Sequence, residues 1–327
     1  MIENPASPPP GRTGFDARRT LAIPAAVAAF EGLGARLREL HYRSGRSLDE
    51  AASAIEVLAS GNPAARDGVA EAVGDDGLDA LAAAGAVALL PETVEPLFVV
   101  LAGGTMLTVV PLQDREDAAY VYLGPDSQWL LERAWSYAKG GRVAVDLGTG
   151  TGYIAVALAP RYELTIGVDL LPSVAALAAL TFRLNAGFEG RMAACACDVA
   201  SALRPGCADL VVANAPWVPS RSITTGADRR IWADGGVDGL ELPTRFIHGA
   251  ASLLASGGTA IVQCIDPRFE SSRPLEKVAA GLVAEGFVAD IRPVGPPELS
   301  DTLTERFAAP GGPTEIHLVD VVVERHD

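Results

Sequence analysis

The segment Val143-Ala-Val-Asp-Leu-Gly-Thr-Gly-Thr-Gly-Tyr153 constrains this chain more than any other stretch. An apolar run ends in an acidic residue, passes through glycines at 148, 150 and 152, and opens into an apolar stretch of helix length. Near-continuous apolar runs of this length are the mark of strands buried on both faces of a parallel sheet. Glycines at such a strand end permit a tight turn and let a ligand approach the backbone closely. The segment therefore predicts strand, loop and helix in succession, with a ligand at the carboxyl end of the strand.

The surrounding sequence repeats the theme. Val143–Leu147, Leu164–Val168, Met192–Cys197, Leu210–Ala213 and Thr259–Cys264 are short apolar runs separated by apolar-faced stretches of helix length. Strand and helix alternating in this way imply a mostly parallel sheet covered on both faces. A helix near Pro274–Glu285 leads to a strand over Phe287–Val294, then to a Pro/Gly-containing connection without a clear helix, then to a last strand over Glu315–Val323. A connection without a helix predicts antiparallel pairing of those last two strands.

Upstream of this alternation the pattern differs. Met1–Gly14 is polar and proline-rich and reads as a flexible tail. Ala25–Arg46 has helical spacing, Ser47–Glu50 is a capping-box pattern opening a helix to about Ser60, and a third helix is expected over Asp76–Ala84. Strands over Pro96–Leu101 and Met106–Pro111 flank Gly103-Gly104 as a hairpin. Helices followed by a hairpin is a winged-helix-like order. A strand (Ala119–Leu123) and a helix (Ser127–Ala138) lead into the second half. Three parts are thus expected: tail 1–14, helical domain 15–118 and α/β domain 119–327.

The ligand class follows from what stands at the strand ends. A dinucleotide fingerprint G-x-G-x-x-G would place its third glycine at Tyr153, and Asp146 would meet a pyrophosphate unfavourably. An acidic residue there suits a cationic ligand, and S-adenosylmethionine carries both a sulfonium and an ammonium group. Asp169 closes the second strand and suits hydrogen bonds from two ribose hydroxyls; Asp198 closes the third. The fourth strand ends in Asn214-Ala-Pro-Trp217.

In these residues the chain resembles the class I methyltransferases. The D-x-G-x-G-x-G run from Asp146 is similar to their first motif, and Asn214–Trp217 is similar to their N-P-P-Y/F/W motif. Gly235-Gly-Val-Asp-Gly-Leu240 is similar to a stretch of the release-factor glutamine methyltransferases and of small-domain enzymes acting on ribosomal RNA. The resemblance covers about Ala119–Cys264 and implies a Rossmann-like sheet with an antiparallel last strand. It implies S-adenosyl-L-methionine as cofactor, held by Asp146, Gly148, Thr149, Gly150, Gly152, Tyr153, Asp169, Leu170, Asp198, Val199 and Asn214, and no metal. Asp198 is the position that meets the adenine amino group in that family. It implies further that Asn214 and the Ala215 carbonyl accept the two hydrogens of a planar nitrogen, with Pro216 and Trp217 completing the catalytic turn and Trp217 stacking on the substrate. Tyr122, Arg229, Arg230 and Trp232 are expected on loops beside the substrate. The sequence departs from the family twice: Ala215 replaces the first proline, and Val262-Gln-Cys-Ile-Asp266 replaces an acidic residue and glycine after the fifth strand.

Composition ranks the substrates. A net charge of −15 lacks the usual footprint for a phosphate backbone. A small molecule such as a secondary metabolite, methylated on nitrogen, is therefore expected ahead of a protein glutamine or an RNA base, with an oxygen target as a further alternative. A winged-helix DNA-binding regulator would need Arg36, Arg38, Arg43 and Arg46 as its basic face. No apolar run reaches the roughly 20 residues of a spanning helix, and the four cysteines lack C-x-x-C spacing. A cytoplasmic protein without a membrane partner is expected; its oligomeric state is not encoded legibly.

Overall fold

The computed structural model describes residues 18, 21–22, 24–29, 31–32, 63–83, 87–96, 98–103, 106–111, 121, 123–185, 191–223 and 232–326. The tail and the helices expected over Ala25–Arg46 and Ser47–Ser60, on which the winged-helix-like reading rests, lie wholly or largely outside those residues.

The first described unit is small. Strands β1 (Ala64–Ala65), β2 (Val87–Leu89) and β3 (Thr93–Pro96) form an antiparallel sheet with β3 central, beside helices α1 (Arg66–Val73) and α2 (Asp75–Ala83). The expected hairpin follows as β4 (Phe98–Gly103) and β5 (Met106–Pro111), with Gly103 opposite Met106. The strand expected over Ala119–Leu123 is described only at Val121 and Leu123, neither of which is extended into a ladder.

The larger unit runs α3 (Pro125–Tyr137), β6 (Gly141–Leu147), α4 (Tyr153–Leu158), β7 (Tyr162–Asp169), α5 (Pro172–Leu184), β8 (Arg191–Ala196), β9 (Ala208–Asn214), α6 (Glu241–Leu253), β10 (Leu254–Arg268), α7 (Pro274–Ala284), β11 (Phe287–Pro293), α8 (Pro297–Arg306) and β12 (Glu315–Arg325). Its seven strands lie in the order β11-β12-β10-β9-β6-β7-β8. All neighbours from β10 to β8 pair parallel, and β12 runs antiparallel to both β10 and β11. This is a Rossmann-like, mostly parallel sheet, with the last two strands paired antiparallel as the sequence predicts.

Side-chain alternation sorts the core into two layers. Ala144, Leu210, Val212 and Ile261 face α3 and α4, meeting Leu130, Ala134, Ile154 and Leu158. Val145, Leu147, Val211, Ala213, Ala260 and Val262 face the other way, meeting Phe246 and Ile247 of α6 and Leu275 and Leu282 of α7. Burial on both faces is why these strands carry continuous apolar runs.

One expectation is corrected. The connection between β11 and β12 contains α8, not an irregular loop. Pro296 and Pro297 read as a break, yet Pro297 stands at the start of the helix, where a missing N–H costs nothing and φ is already helical. Leu299, Leu303 and Phe307 then pack on Ile265, Ile316 and Leu318. Strand β10 also extends to both sides of the expected Thr259–Cys264. Among the described residues no helix is long and apolar enough to cross a membrane.

The hairpin is docked on the larger unit. Asn185, at the end of α5, accepts from Leu107 N at 3.0 Å and donates to Leu107 O at 2.6 Å, while Thr181 Oγ1 accepts from Val109 N at 3.2 Å.

Candidate functional site

A cavity of about 560 Å³ opens at the carboxyl ends of β6, β7, β8 and β9. That size falls within the range of cofactor and small-ligand sites. It brings together nearly every described residue that the sequence nominated: Asp146, Gly148, Thr149, Gly150, Tyr153, Asp169, Leu170, Asp198, Val199, Asn214, Ala215, Pro216, Trp217 and Trp232. Gly152 does not line the cavity; it starts α4 at φ 84°. Tyr122, Arg229 and Arg230 lie outside the described residues.

The glycine loop takes the shape its sequence permits. Gly148, Gly150 and Gly152 all have left-handed φ values, 71°, 54° and 84°, which L side chains reach only with strain. Thr149 N donates to Val168 O at 2.8 Å and Gly150 N to Asp169 Oδ2 at 3.2 Å, so the turn is stitched to the end of β7.

Asp146 sits under this loop, 1% exposed. Its Oδ2 accepts from Thr149 Oγ1 at 2.7 Å and from Ala155 N at 3.2 Å. Burial outweighs these bonds and pushes the carboxyl up to about 7, with the nearby Asp169 adding to the rise. Burial likewise raises Asp169, against hydrogen bonds from Leu171 and Gly150 N–H. Two neighbouring carboxyls held out of water are in want of positive charge. A cofactor with sulfonium and ammonium groups supplies it, so the residues fit the expected group. Asp198, in contrast, is half exposed and paired with Arg245 Nη2 at 2.6 Å. Val199 beside it has φ 51°, the sole left-handed residue other than glycine among those described.

The fourth strand end is braced from two sides. Ala215 N donates to Gln263 O at 3.2 Å, extending the β9–β10 pairing into the turn. The Gly235–Leu240 stretch folds against the backbone of Trp217 and Val218: Val218 N donates to Ala233 O at 2.7 Å and Gly235 N to Val218 O at 2.9 Å. A Cβ on Gly235 would stand 2.6 Å from Trp217 Cα, and one on Gly239 2.4 Å from Trp217 O. Gly235 and Gly239 therefore serve close packing behind Trp217. Asp234 joins the brace by accepting from Ser220 Oγ at 2.6 Å and Gly236 N at 3.0 Å.

The sequence offers Tyr122–Ser127 either as a segment folded over cofactor and substrate, as the resemblance implies, or as a turn with Asp126 or Ser127 capping the next helix. Asp126 and Ser127 line the cavity and do not cap α3, whose N-cap is Gly124. They turn towards Asn214, whose Nδ2 donates to Asp126 Oδ2 at 3.3 Å and Ser127 Oγ at 3.2 Å. Gln263 Nε2 donates to Asn214 Oδ1 at 3.2 Å. Phe307, brought in by α8, meets Trp217 edge-on with ring centroids 6.2 Å apart, and Arg306 lies over the Phe307 ring. Phe307 was hidden because its helix was read as a loop. Asp126 and Gln263 were visible as polar residues at a helix start and in a buried strand, but their meeting is long-range.

No family model matches the chain. A release factor glutamine methyltransferase of Bradyrhizobium diazoefficiens is 33% identical over 51% of this chain and 60% of its own length. One of Moorella thermoacetica is 28% identical over 44% of this chain and 53% of its own. The chain thus spans between half and two thirds of the length of these relatives. Among solved structures, P. horikoshii TYW2 in complex with MeSAdo is similar at a TM-score of 0.47 and 16% identity, over 71% of this chain and 72% of that one. Methanocaldococcus jannaschii Trm5 in complex with adenosine is similar at 0.45 and 15%, over 72% and 60%.

Proposed function

We propose that this chain is an S-adenosylmethionine-dependent methyltransferase acting on a planar nitrogen. The observation that carries the reading is the convergence of Asn214–Trp217 with the buried Asp146 and Asp169 in a single cavity. The methyl donor, when bound, supplies an electrophilic methyl group and its own leaving group. The protein supplies position and polarity. Asp146, Asp169 and the glycine loop hold the donor. Asn214 Oδ1 and the Ala215 carbonyl accept two hydrogens of the target amino group and aim its lone pair at the methyl carbon. Trp217 forms the flat wall, steadied by Phe307. The donor would take up the departing electron pair on its own sulfur, and the methylated nitrogen would then lose a proton; Asp126, in the same cavity, would be placed to accept it.

The side-chain amide of a protein glutamine is the target best supported. The relatives in Bradyrhizobium and Moorella carry that activity in their names, and Gly235–Leu240 forms the brace behind Trp217. A planar nitrogen of a small molecule, such as a secondary metabolite, is the second reading; it is favoured by the wall that α8 adds through Arg306 and Phe307. The charge of −15 weighs against an RNA base. The paired acceptors weigh against an oxygen target, which offers at most one hydrogen. A cytoplasmic setting accords with cysteines that lack pairing spacing.

The test has two stages. S-adenosylhomocysteine, and not NADH, is expected to raise the thermal midpoint; no rise would end the reading. Methyl-tritiated donor is then offered with a purified release factor, with total tRNA and with a small-molecule extract. Label in the protein fraction supports the glutamine target, and label in the extract moves the assignment to the second reading. Asn214→Ala is expected to abolish transfer while Asp146, Asp169 and the glycine loop retain most of the donor affinity. Full turnover in that variant would overturn the role of Asn214.

A further inference from the structure

Asn214 sits at the end of a chain of side chains that reaches across the sheet to its antiparallel strand. Asp320 of β12, 3% exposed, accepts from Arg133 of α3 through Nε, and from Nη2 at 3.0 Å. Arg133 Nη2 also donates to Gln263 Oε1 at 2.6 Å. Gln263, fully buried in β10, donates through Nε2 to Asn214 Oδ1 at 3.2 Å and to Asp126 O at 3.4 Å. Asn214 passes its own hydrogens to Asp126 and Ser127.

We propose that Arg133, Gln263 and Asp320 are positioning residues that fix which way the Asn214 amide points. The assignment rests on the reading of Asn214 given above. The two ends of a side-chain amide are nearly the same shape, so packing alone does not orient it. Donor and acceptor character does. Arginine has only donors and stays charged, so it takes the oxygen of Gln263 and turns the NH₂ group towards Asn214. That NH₂ group in turn takes the oxygen of Asn214. The asparagine nitrogen is left facing Asp126, where a reversed amide would set its oxygen against a carboxylate. In a buried network each such preference is amplified by the low local dielectric. The consequence is chemical. Asn214 Oδ1 keeps one lone pair for the target nitrogen, in a direction set by a cation on another layer of the fold.

The test reads the amide itself and needs no substrate. The chain has four asparagines, so selective ¹⁵N-asparagine labelling gives a short spectrum, and Asn214→Ala identifies the Asn214 side-chain signal. In the wild type, the Asn214 NH₂ protons are expected to exchange slowly and to show Overhauser contacts to Ser127. Arg133→Lys keeps a positive charge for Asp320 but loses the fork that reaches Gln263; the Asn214 NH₂ exchange is expected to quicken by about tenfold, the loss of one buried hydrogen bond. Gln263→Glu keeps a partner for Arg133 but presents an acceptor to Asn214, and the contacts to Ser127 are expected to vanish as the amide turns over. Both variants are expected to bind S-adenosylhomocysteine within about threefold of the wild type, since a merely structural lesion would lower that affinity as well. Unchanged exchange and contacts in both variants would overturn the proposal, as would donor-site affinity falling in step with them. A wild-type protein that does not bind S-adenosylhomocysteine would remove the methyltransferase reading, while the amide signals would still decide the orientation.

Discussion

Arg245 of α6 donates to Asp198 across 2.6 Å at the end of the third parallel strand, where the family resemblance implies the adenine contact. Both side chains are 51% exposed, so the pair is screened and worth little, about 0–1 kcal/mol. Arg245 is therefore free to yield Asp198 to a nucleoside. Arg245→Ala is expected to change the dissociation constant of S-adenosylhomocysteine by no more than about threefold. Asp198→Ala removes a side-chain acceptor and is expected to weaken binding by about tenfold or more. Isothermal titration at low and high salt separates the two. Equal losses in both variants would show that Asp198 acts through the ion pair and not on the nucleoside.

Asp146 gives the unliganded protein a pH dependence. Its carboxyl titrates near 7 in the folded chain against an ordinary value of 3.8. Between those values the folded state holds a proton that the unfolded state has lost, so stability falls as pH rises through that window and levels off on either side. Asp146→Asn is expected to remove that decline. Binding of a cationic donor favours the ionised carboxylate, so its affinity is expected to rise with pH up to about 7 and then level. At pH near 6, titration in buffers of differing ionisation enthalpy should reveal proton release. The same release in Asp146→Asn would assign it to another group.

Gly152 meets two demands at once. Its φ of 84° is left-handed, and a Cβ there would stand 2.9 Å from Phe182 Cε1 and 3.3 Å from Ala178 Cα. Gly257 shares the left-handed φ, at 74°, with nothing nearby. Gly257→Ala is expected to cost about 1–2 kcal/mol from backbone strain alone. Gly152→Ala adds overpacking against a buried ring, for a total of about 2–4 kcal/mol, and should weaken S-adenosylhomocysteine binding as well. Urea unfolding of the two variants checks the difference; equal losses would mean that Phe182 yields at no cost.

The inner strands β6, β9 and β10 were legible because burial on two faces writes itself into the chain as near-continuous Val, Ala, Leu and Ile, whereas β8, at the sheet edge, carries an apolar run with no buried residue. The acidic strand ends and the glycine loop were legible because local backbone chemistry demands those residue types at those places. What stayed hidden is long-range. Asp126 and Gln263 are 137 residues apart and meet only because α3 packs across β9 and β10. Arg133 reads as one charge on an amphipathic helix, and nothing local says that Asp320 lies across from it. Helix α8 was misread for a local reason, since Pro296 and Pro297 mark a break as readily as a helix start. With it went Phe307, and so half of the aromatic wall at Trp217.

Asn185 ties the hairpin to the α/β unit, and its removal tests whether that tie holds. Leu107, Val109, Thr181 and Asn185 are all fully buried. Asn185→Ala would strand both the N–H and the C=O of Leu107 away from water, since each is bonded to the asparagine side chain. Two orphaned backbone groups at about 1–3 kcal/mol each give an expected loss of about 2–4 kcal/mol after partial relaxation. Thr181→Val strands the Val109 N–H alone and should cost about half as much. Hydrogen exchange gives the sharper readout. The Leu107 and Val109 amides are expected to lose protection in Asn185→Ala, while the amides of β6 and β9 keep theirs, because local opening is cheaper than global unfolding. Retained protection at Leu107 would mean that packing alone docks the hairpin. Parallel loss in β6 and β9 would mean that the hairpin and the sheet open as one cooperative unit.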